Sequence, residues 1–272
     1  MINDYPQVLS IAGFDSDGSA GMPADLHTFF AHKVYGMGIL TAAVAGNSYQ
    51  IEDATMMPLS FIAQQFDTLA KDFDIRASKT GMLSSKEMIK VVVEKYQEVN
   101  FGPLVVDPVI VTKHGNKLID DDAIDFFKEN LIPLAEVITP NYFEARTLTN
   151  LELKNDKEIH QAAKYLHELG AKNVIIKGKH HKEDGPEQVR DLVSLENGDI
   201  FWLEHDYLDT NRINGTGDTL AAAITSHLAL GDTVKEAITK SVNFTHDAIA
   251  HEIQVGHQYG PINHWAAMDR LN

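Results

Sequence analysis

The chain is predicted to be an α/β protein with a largely parallel sheet and helices on both faces. Three observations predict it. Short β-branched runs alternate with amphipathic helical patterns, which is the order of repeated β-α units. The candidate strands are continuously apolar, as burial on both faces requires. Glycine and polar residues collect where those strands end, the edge at which open α/β sheets bind ligands.

Val8-Leu9-Ser10-Ile11-Ala12-Gly13 predicts a buried strand ending in a glycine turn. Asp25 to His32 then places Leu26, Phe29 and Phe30 at helical spacing. Gly38 to Val44 gives a second strand. Phe61 to Leu69 gives a helix with Phe61, Ile62, Gln65, Phe66 and Leu69 on or near one face. Ile75 to Thr80 reads as a short strand. Ser84-Ser85-Lys86-Glu87 has the form of a capping box opening a helix through Val91 to Tyr96. Leu104 to Asp107 is a strand ending in a carboxylate, and Val137 to Thr139 is a strand followed by Pro140-Asn141 and a helix. Asn155 to Leu169 is a helix closed by Gly170, and Asn173 to Gly178 is a strand ending in a cation and a glycine. Val189 to Leu195 and Ile200 to Leu203, joined through Glu196-Asn197-Gly198-Asp199, predict a hairpin with an Asn-Gly turn at the sheet edge. Lys179 to Glu187, with His180-His181, reads as a polar loop. No linker, repeat or low-complexity tract interrupts the chain, so residues 1–272 are expected to form a single domain.

Composition narrows the function classes. The chain has no cysteine, which excludes thiol catalysis, thiolate metal sites and disulfides. Its net charge of -16 repels nucleic acid and anionic membrane, and disfavours anionic nucleotides unless local cations or a divalent metal offset it. The start of the chain lacks the basic and apolar regions of a signal peptide, and no apolar run approaches ~18 residues. The expectation is a cytoplasmic protein without a membrane span. The 13 histidines show no zinc spacing, and no G-x-S-x-G is present.

Asn214-Gly215-Thr216-Gly217-Asp218-Thr219 is the strongest local signal. A glycine-rich turn opens an alanine-rich helix, whose first N–H groups lack intrahelical partners and whose dipole is positive there. That arrangement suits phosphate, although an acid at a helix start is also simple stabilisation. No Gly-Lys-Ser/Thr follows, so this is not a Walker A loop. In Thr139-Pro140-Asn141-Tyr142-Phe143-Glu144, Asn141 and Glu144 either form a capping box or set Glu144 to hold Mg²⁺. Asp107 at a strand end either points into a crevice or is solvated. Lys177 either neutralises phosphates or lies on the surface.

Taken together, Ala12-Gly13-x-Asp15 with Gly18-x-Ala20-Gly21-x-x-Ala24-Asp25, Lys79-x-Gly81-Met82-Leu83, Val106-Asp107-Pro108-Val109, Thr139-Pro140-Asn141-x-x-Glu144-Ala145 and Gly215-Thr216-Gly217-Asp218-Thr219 resemble the ribokinase superfamily. Within it they resemble the branch holding hydroxymethylpyrimidine (phosphate) kinases and the pyridoxal kinases of Gram-positive bacteria. The resemblance runs in order from about Val8 to Trp265. It implies a three-layer α/β/α sandwich, ATP as co-substrate, and Mg²⁺, with a monovalent cation left open. It implies that Asp218 takes the proton of a substrate hydroxyl while the N–H groups of Gly215, Thr216, Gly217 and Asp218 stabilise the moving phosphoryl group. Asn141, Lys177, Gly178 and Thr216 would serve ATP, and Asp107 and Glu144 the metal. Gly13, Asp15, Ala20, Asp25, Val44, Gly46, Met82 and Val109 would line the substrate pocket, and Lys113-His114-Gly115-Asn116 would be a flap. Members are often dimers, so a homodimer is expected.

Two departures bear on the substrate. The close branch usually carries cysteine where this chain has Asp218, so carboxylate base catalysis replaces a thiol-based mechanism. Hydroxymethylpyrimidine kinases place a glutamine where this chain has Gly46, which has no side chain to bond an aminopyrimidine. Tyr259-Gly260-Pro261-Ile262-Asn263-His264 also resembles the pyridoxal kinase side. A kinase acting on pyridoxal, pyridoxine or pyridoxamine is therefore expected, with hydroxymethylpyrimidine (phosphate) kinase as the alternative. A binding protein on the kinase fold, without turnover, is the alternative of another class.

Overall fold

A computed structural model describes residues 4–110, 119–178 and 188–269. The first strand, β1 (Gln7–Asp15), runs two residues past the expected turn at Gly13, with a register shift between Ala12 and Phe14. It pairs in parallel with β2 (Tyr35–Gly46) and with β4 (Ile75–Thr80), and the parallel run continues through β5 (Leu104–Val106), β6 (Ala135–Ile138) and β7 (Asn173–Ile176). Antiparallel strands close both edges: β3 (Ile51–Met56) beside β2, and the hairpin β8 (Gln188–Ser194) and β9 (Ile200–Asp206) beside β7. The order is β3-β2-β1-β4-β5-β6-β7-β8-β9 in one sheet. The α/β class with a mostly parallel sheet is thus the observed one.

Alternation along each strand sends successive side chains into different cores. Leu9, Ile11, Leu104, Val106, Val174 and Ile176 pack on one face. Val105, Val137 and Ile175 pack on the other, and Val8 joins Phe29 and Ala77 there. The first face is covered by α2 (Leu59–Leu69), α3 (Lys86–Glu98), α4 (Asp121–Phe126), α5 (Tyr142–Thr149) and α6 (Asp156–Glu168). The second carries α1 (Gly21–Ala31), α7 (Thr216–Leu230) and α8 (Val234–Ala250), with α9 (His264–Asp269) beside α8. The hairpin turn has Gly198 at φ +92°, and Gly170 ends α6 at φ +106°.

Three local expectations are corrected. Phe29 is fully buried, but Phe30, placed on the apolar face by spacing, is 76% exposed. The cap of α3 is Ser85, which accepts from Met88 N at 3.2 Å. The third helical position is therefore Met88, so Ser84 and Glu87 form no capping box. In α2, Ile62 and Phe66 carry the burial, while Phe61 is exposed. The expected flap Lys113-His114-Gly115-Asn116 and the polar loop from Lys179 to Glu187 lie outside the described residues.

Candidate functional site

Two glycine-rich loops meet above the carboxyl ends of β1, β4 and β5. The first, after β1, folds back on itself: Asp17 Oδ1 accepts from Ser19 N at 2.8 Å, and Phe14 bridges to Gly21. The second precedes α7. Gly215 stands at φ +80°, and a β-carbon there would run into the Ser19 carbonyl. Only glycine allows both the left-handed backbone and this approach. Asn214 Nδ2 reaches Ser19 Oγ at 3.5 Å. The C-terminal segment ties in from behind: Asn214 N donates to Gly260 O at 3.0 Å, and His264 Nε2 meets the Thr219 hydroxyl at 2.8 Å.

Helix α7 thus opens with Thr216, Gly217 and Asp218 in its first turn. The first N–H that closes an intrahelical bond is that of Thr219, to Gly215 O at 2.8 Å. A β-carbon on Gly217 would lie 3.4 Å from Lys177 Nζ and 3.5 Å from Asp107 Oδ2. Bare backbone, a cation and a carboxylate therefore converge at the helix start. The Asp218 side chain is 18% exposed, with Oδ1 3.6 Å from Lys79 Nζ.

Lys177 is no surface lysine. Its side chain is 13% exposed, and Nζ lies 3.4 Å from Asp107 Oδ1. Burial opposes its charge, but Asp107 and Glu144 outweigh burial and hold the ammonium above the usual lysine value. Thr139 Oγ1 donates to Asp107 Oδ1 at 3.0 Å. Asn141 and Glu144 form a complete capping box: Asn141 Oδ1 accepts from Phe143 N and Glu144 N, and Asn141 N donates to Glu144 Oε2 at 2.7 Å. Burial, and then Asp107, push the Glu144 carboxyl well above its ordinary value, against the pull of Lys177. The capping reading of this segment is the observed one, and it still places Glu144 beside Asp107 and Lys177.

The expected substrate-pocket residues divide. Asp15 stands in register with Val44 across β1 and β2. The position of a Gly13 β-carbon would be 3.1 Å from Met82 Cε, so Gly13 and Met82 pack together. Gly46 accepts from and donates to Ser16 Oγ at 3.0 Å. Asp15 is half-buried, and burial and then Asp17 raise its carboxyl. Ala20 caps α1 without a side-chain bond, and Val109 donates its N–H to Asp107 O at 2.9 Å. Asp25 differs. It is fully buried, accepting from Ser10 Oγ at 2.5 Å and Lys79 Nζ at 2.6 Å, and so faces the core and not a pocket. Gly178 differs too, because its N–H is committed to Asp191 Oδ1 at 2.8 Å.

Lys79 and Asp191 carry no role in the sequence reading. Lys79 is a charge among the four consecutive buried residues Ala77 to Thr80 of its strand, and that alone is a signal, since such a group needs a paired partner. Burial raises Asp191 to about 6, with Gly178 N–H and Lys177 opposing. Among the described residues no group of three or more His, Cys, Asp or Glu is arranged to hold a metal, and no helix is long and apolar enough to cross a membrane.

The phosphomethylpyrimidine kinase family matches residues 15–263. The hydroxymethylpyrimidine/phosphomethylpyrimidine kinase of Haemophilus influenzae is 40% identical over 265 residues, 97% of this chain and 98% of that one. The enzyme of the same name from Bacillus subtilis is 39% identical over 96% of this chain and 95% of its own. Among solved structures, an ADP complex of Bacillus subtilis pyridoxal kinase superposes with a TM-score of 0.89 at 36% identity, covering 99% of this chain and 100% of that one. Staphylococcus aureus pyridoxal kinase in complex with AMP-PCP and pyridoxal gives 0.87 at 34% identity, over 97% and 95%.

Proposed function

The chain belongs to the phosphomethylpyrimidine kinase family, and on that premise we propose that it transfers the γ-phosphoryl group of ATP to the 5′-hydroxymethyl group of pyridoxal, pyridoxine or pyridoxamine. The observation that carries the phosphotransfer reading is the convergence of Lys177, Asp107 and Asp218 on the bare start of α7. Phosphoryl transfer needs positioning and charge stabilisation more than covalent help. Asp218 takes the proton as the substrate oxygen attacks the γ-phosphorus and the bond to the bridging β-γ oxygen breaks. Within the Gly215–Asp218 turn the Thr216 N–H already donates to Ile213 O at 3.4 Å, which leaves the N–H groups of Gly217 and Asp218 to face the charge that develops on the phosphoryl oxygens. Lys177 and the Asn141 region receive the ATP phosphates.

Asp107 and Glu144 fit a hard cation. They are two buried carboxylates in one corner, and Lys177 offsets one of the two charges. Magnesium held there supplies positive charge to the ATP phosphates. A soluble, cytoplasmic homodimer is in keeping with this reading.

The preference for a B6 vitamer rests on Gly46. A β-carbon there would have Asp15 Oδ1, Gln50 O and Ile51 Cγ1 at 3.4–3.6 Å, and the chain presents no amide at that point. A second reading, hydroxymethylpyrimidine (phosphate) kinase, is favoured by the names of the curated relatives. Coupled ADP-release assays with the three vitamers, hydroxymethylpyrimidine and its phosphate separate the two. Turnover of the pyrimidines with none of the vitamers would overturn the first reading. Asp218→Ala should lower kcat by about 10²–10⁴-fold on the true substrate, and a wild type no faster than this variant would leave a binding protein.

A further inference from the structure

Lys79 lies on the α1–α7 face of the sheet, two residues beyond Ala77 in β4. The side chains of Lys79 and Asp25 are both 0% exposed. Lys79 therefore cannot touch a substrate. Its ammonium lies 2.6 Å from Asp25 Oδ1 and 3.6 Å from Asp218 Oδ1. Ser10 Oγ holds the second oxygen of Asp25 at 2.5 Å, so both oxygens of that carboxylate are engaged and the lysine is fixed in place. At Gly81, beside the ammonium, a β-carbon would meet Ala12 Cβ at 3.0 Å and Lys79 Nζ at 3.7 Å, so it is Ala12 that crowds this position.

The charge pattern around this group is lopsided. Asp25, Asp218 and Asp107 all act on Lys79, and together they outweigh the burial that opposes its charge. Burial raises Asp25 to about 7 in spite of Lys79. Asp15, Asp25, Lys79 and Lys177 all lie within electrostatic reach of Asp218. A structural ion pair needs one carboxylate for its lysine. This one has a second carboxylate at the mouth of the site, reached from beneath.

We propose that Lys79, anchored by Asp25 and Ser10, is a positioning residue that holds Asp218 through Oδ1 and leaves its other oxygen turned to the hydroxyl being phosphorylated. The inference rests on the phosphotransfer reading, with Asp218 as base. It places a buried cation one step behind the base, where an ammonium with three donors can serve Asp25 and Asp218 at once.

The test is a kinetic cycle on the full chain, with thermal melts as the control for folding. Lys79→Met alone leaves the Asp25 carboxylate buried without its cation, a defect that unfolds proteins. The informative variant is therefore the neutral pair Asp25→Leu with Lys79→Met, which leaves no orphaned charge. Its kcat is expected to fall about 10-fold or more, with the KM values for ATP and alcohol within about twofold of wild type, because only the chemical step uses the placement of Asp218. Adding Asp218→Asn to the pair should lower kcat no further than Asp218→Asn alone, since residues acting as one unit are not additive. A folded neutral pair with wild-type kcat would reduce Lys79 to a counter-ion for Asp25 and overturn the proposal. Full additivity with Asp218→Asn would overturn it as well. A wild type inert towards every vitamer and pyrimidine would instead remove the phosphotransfer reading itself.

Discussion

His32 and His227 meet edge to face with ring centroids 4.9 Å apart, and the Nε2 of each is buried without a hydrogen-bond partner. Their Nδ1 atoms are used, by Thr28 O and by Asp232 Oδ2, both at 2.8 Å. Burial lowers His32 to about 4 from an ordinary 6.5, with His227 adding to the effect. An imidazole whose folded pKa is depressed costs nothing above pH 6.5, where it is neutral in both states. The cost grows as pH falls towards 4, because the unfolded chain then binds a proton that the folded one refuses. His32→Phe should therefore gain stability relative to wild type across that window, by up to about 3 kcal/mol. Urea melts at pH 7.5 and 4.5 measure the change in the difference. Comparing variant with wild type matters because Asp25, raised to about 7, and Asp191, raised to about 6, act with the opposite sign. A difference that does not move with pH refutes the assignment.

Gly215 and Gly217 should respond differently to alanine. At Gly215 the left-handed backbone and the Ser19 carbonyl both exclude a side chain, so Gly215→Ala should lower the melting temperature and the activity together. At Gly217 a methyl group meets Lys177 Nζ and Asp107 Oδ2 at 3.4–3.5 Å, distances the fold can absorb. Gly217→Ala should melt within about 1 kcal/mol of wild type yet lose kcat/KM for ATP by about 10-fold or more, because the phosphate approach is filled.

Glu144→Gln separates a cap from a metal ligand. Glutamine also completes a capping box, so α5 should keep its stability. A carboxamide binds a hard cation poorly, so the Mg²⁺ concentration for half-maximal activity should rise about 10-fold or more. Titration of activity against MgCl₂ at saturating ATP reads this directly, and an unchanged midpoint would confine Glu144 to capping.

Gly46→Gln probes specificity. The β-carbon finds Asp15 Oδ1, Gln50 O and Ile51 Cγ1 at ordinary contact distance, so the end of β2 can take a side chain. The introduced amide should raise the kcat/KM ratio of hydroxymethylpyrimidine over pyridoxal by about 10-fold or more, as hydrogen-bonding sites discriminate strongly. No change in that ratio would mean that position 46 does not select the ring.

The parallel strands and the two glycine-rich loops were legible because their signals are local. Runs such as Val174-Ile175-Ile176 and the Gly215-Thr216-Gly217 turn announce themselves within a few residues. The strand β3 did not, since all six of its residues are exposed and Ile51-Glu52-Asp53-Ala54-Thr55-Met56 does not alternate. Helix α8 carries a readable start in Thr233 and Glu236, which form a complete capping box. Ser84 and Ser85 compete for one cap, and a shift of one residue decides whether an acid or Met88 stands at the third position. The pairing of Lys79 with Asp25 spans 54 residues, and nothing near either residue names its partner. What remained hidden was tertiary pairing of charges, which propensity and periodicity do not encode.

The contact between Ser19 and Asn214 joins points 195 residues apart. During synthesis the first loop leaves the ribosome long before the turn it packs against exists. Until then the Ser19 carbonyl has no Gly215 backbone above it, and Lys79 has Asp25 but not Asp218. Competence for the proposed reaction therefore depends on α7, and because Leu220, Ala221 and Ile224 of that helix are buried against the second face of the sheet, a chain stalled before it would lack part of its core as well as the crevice.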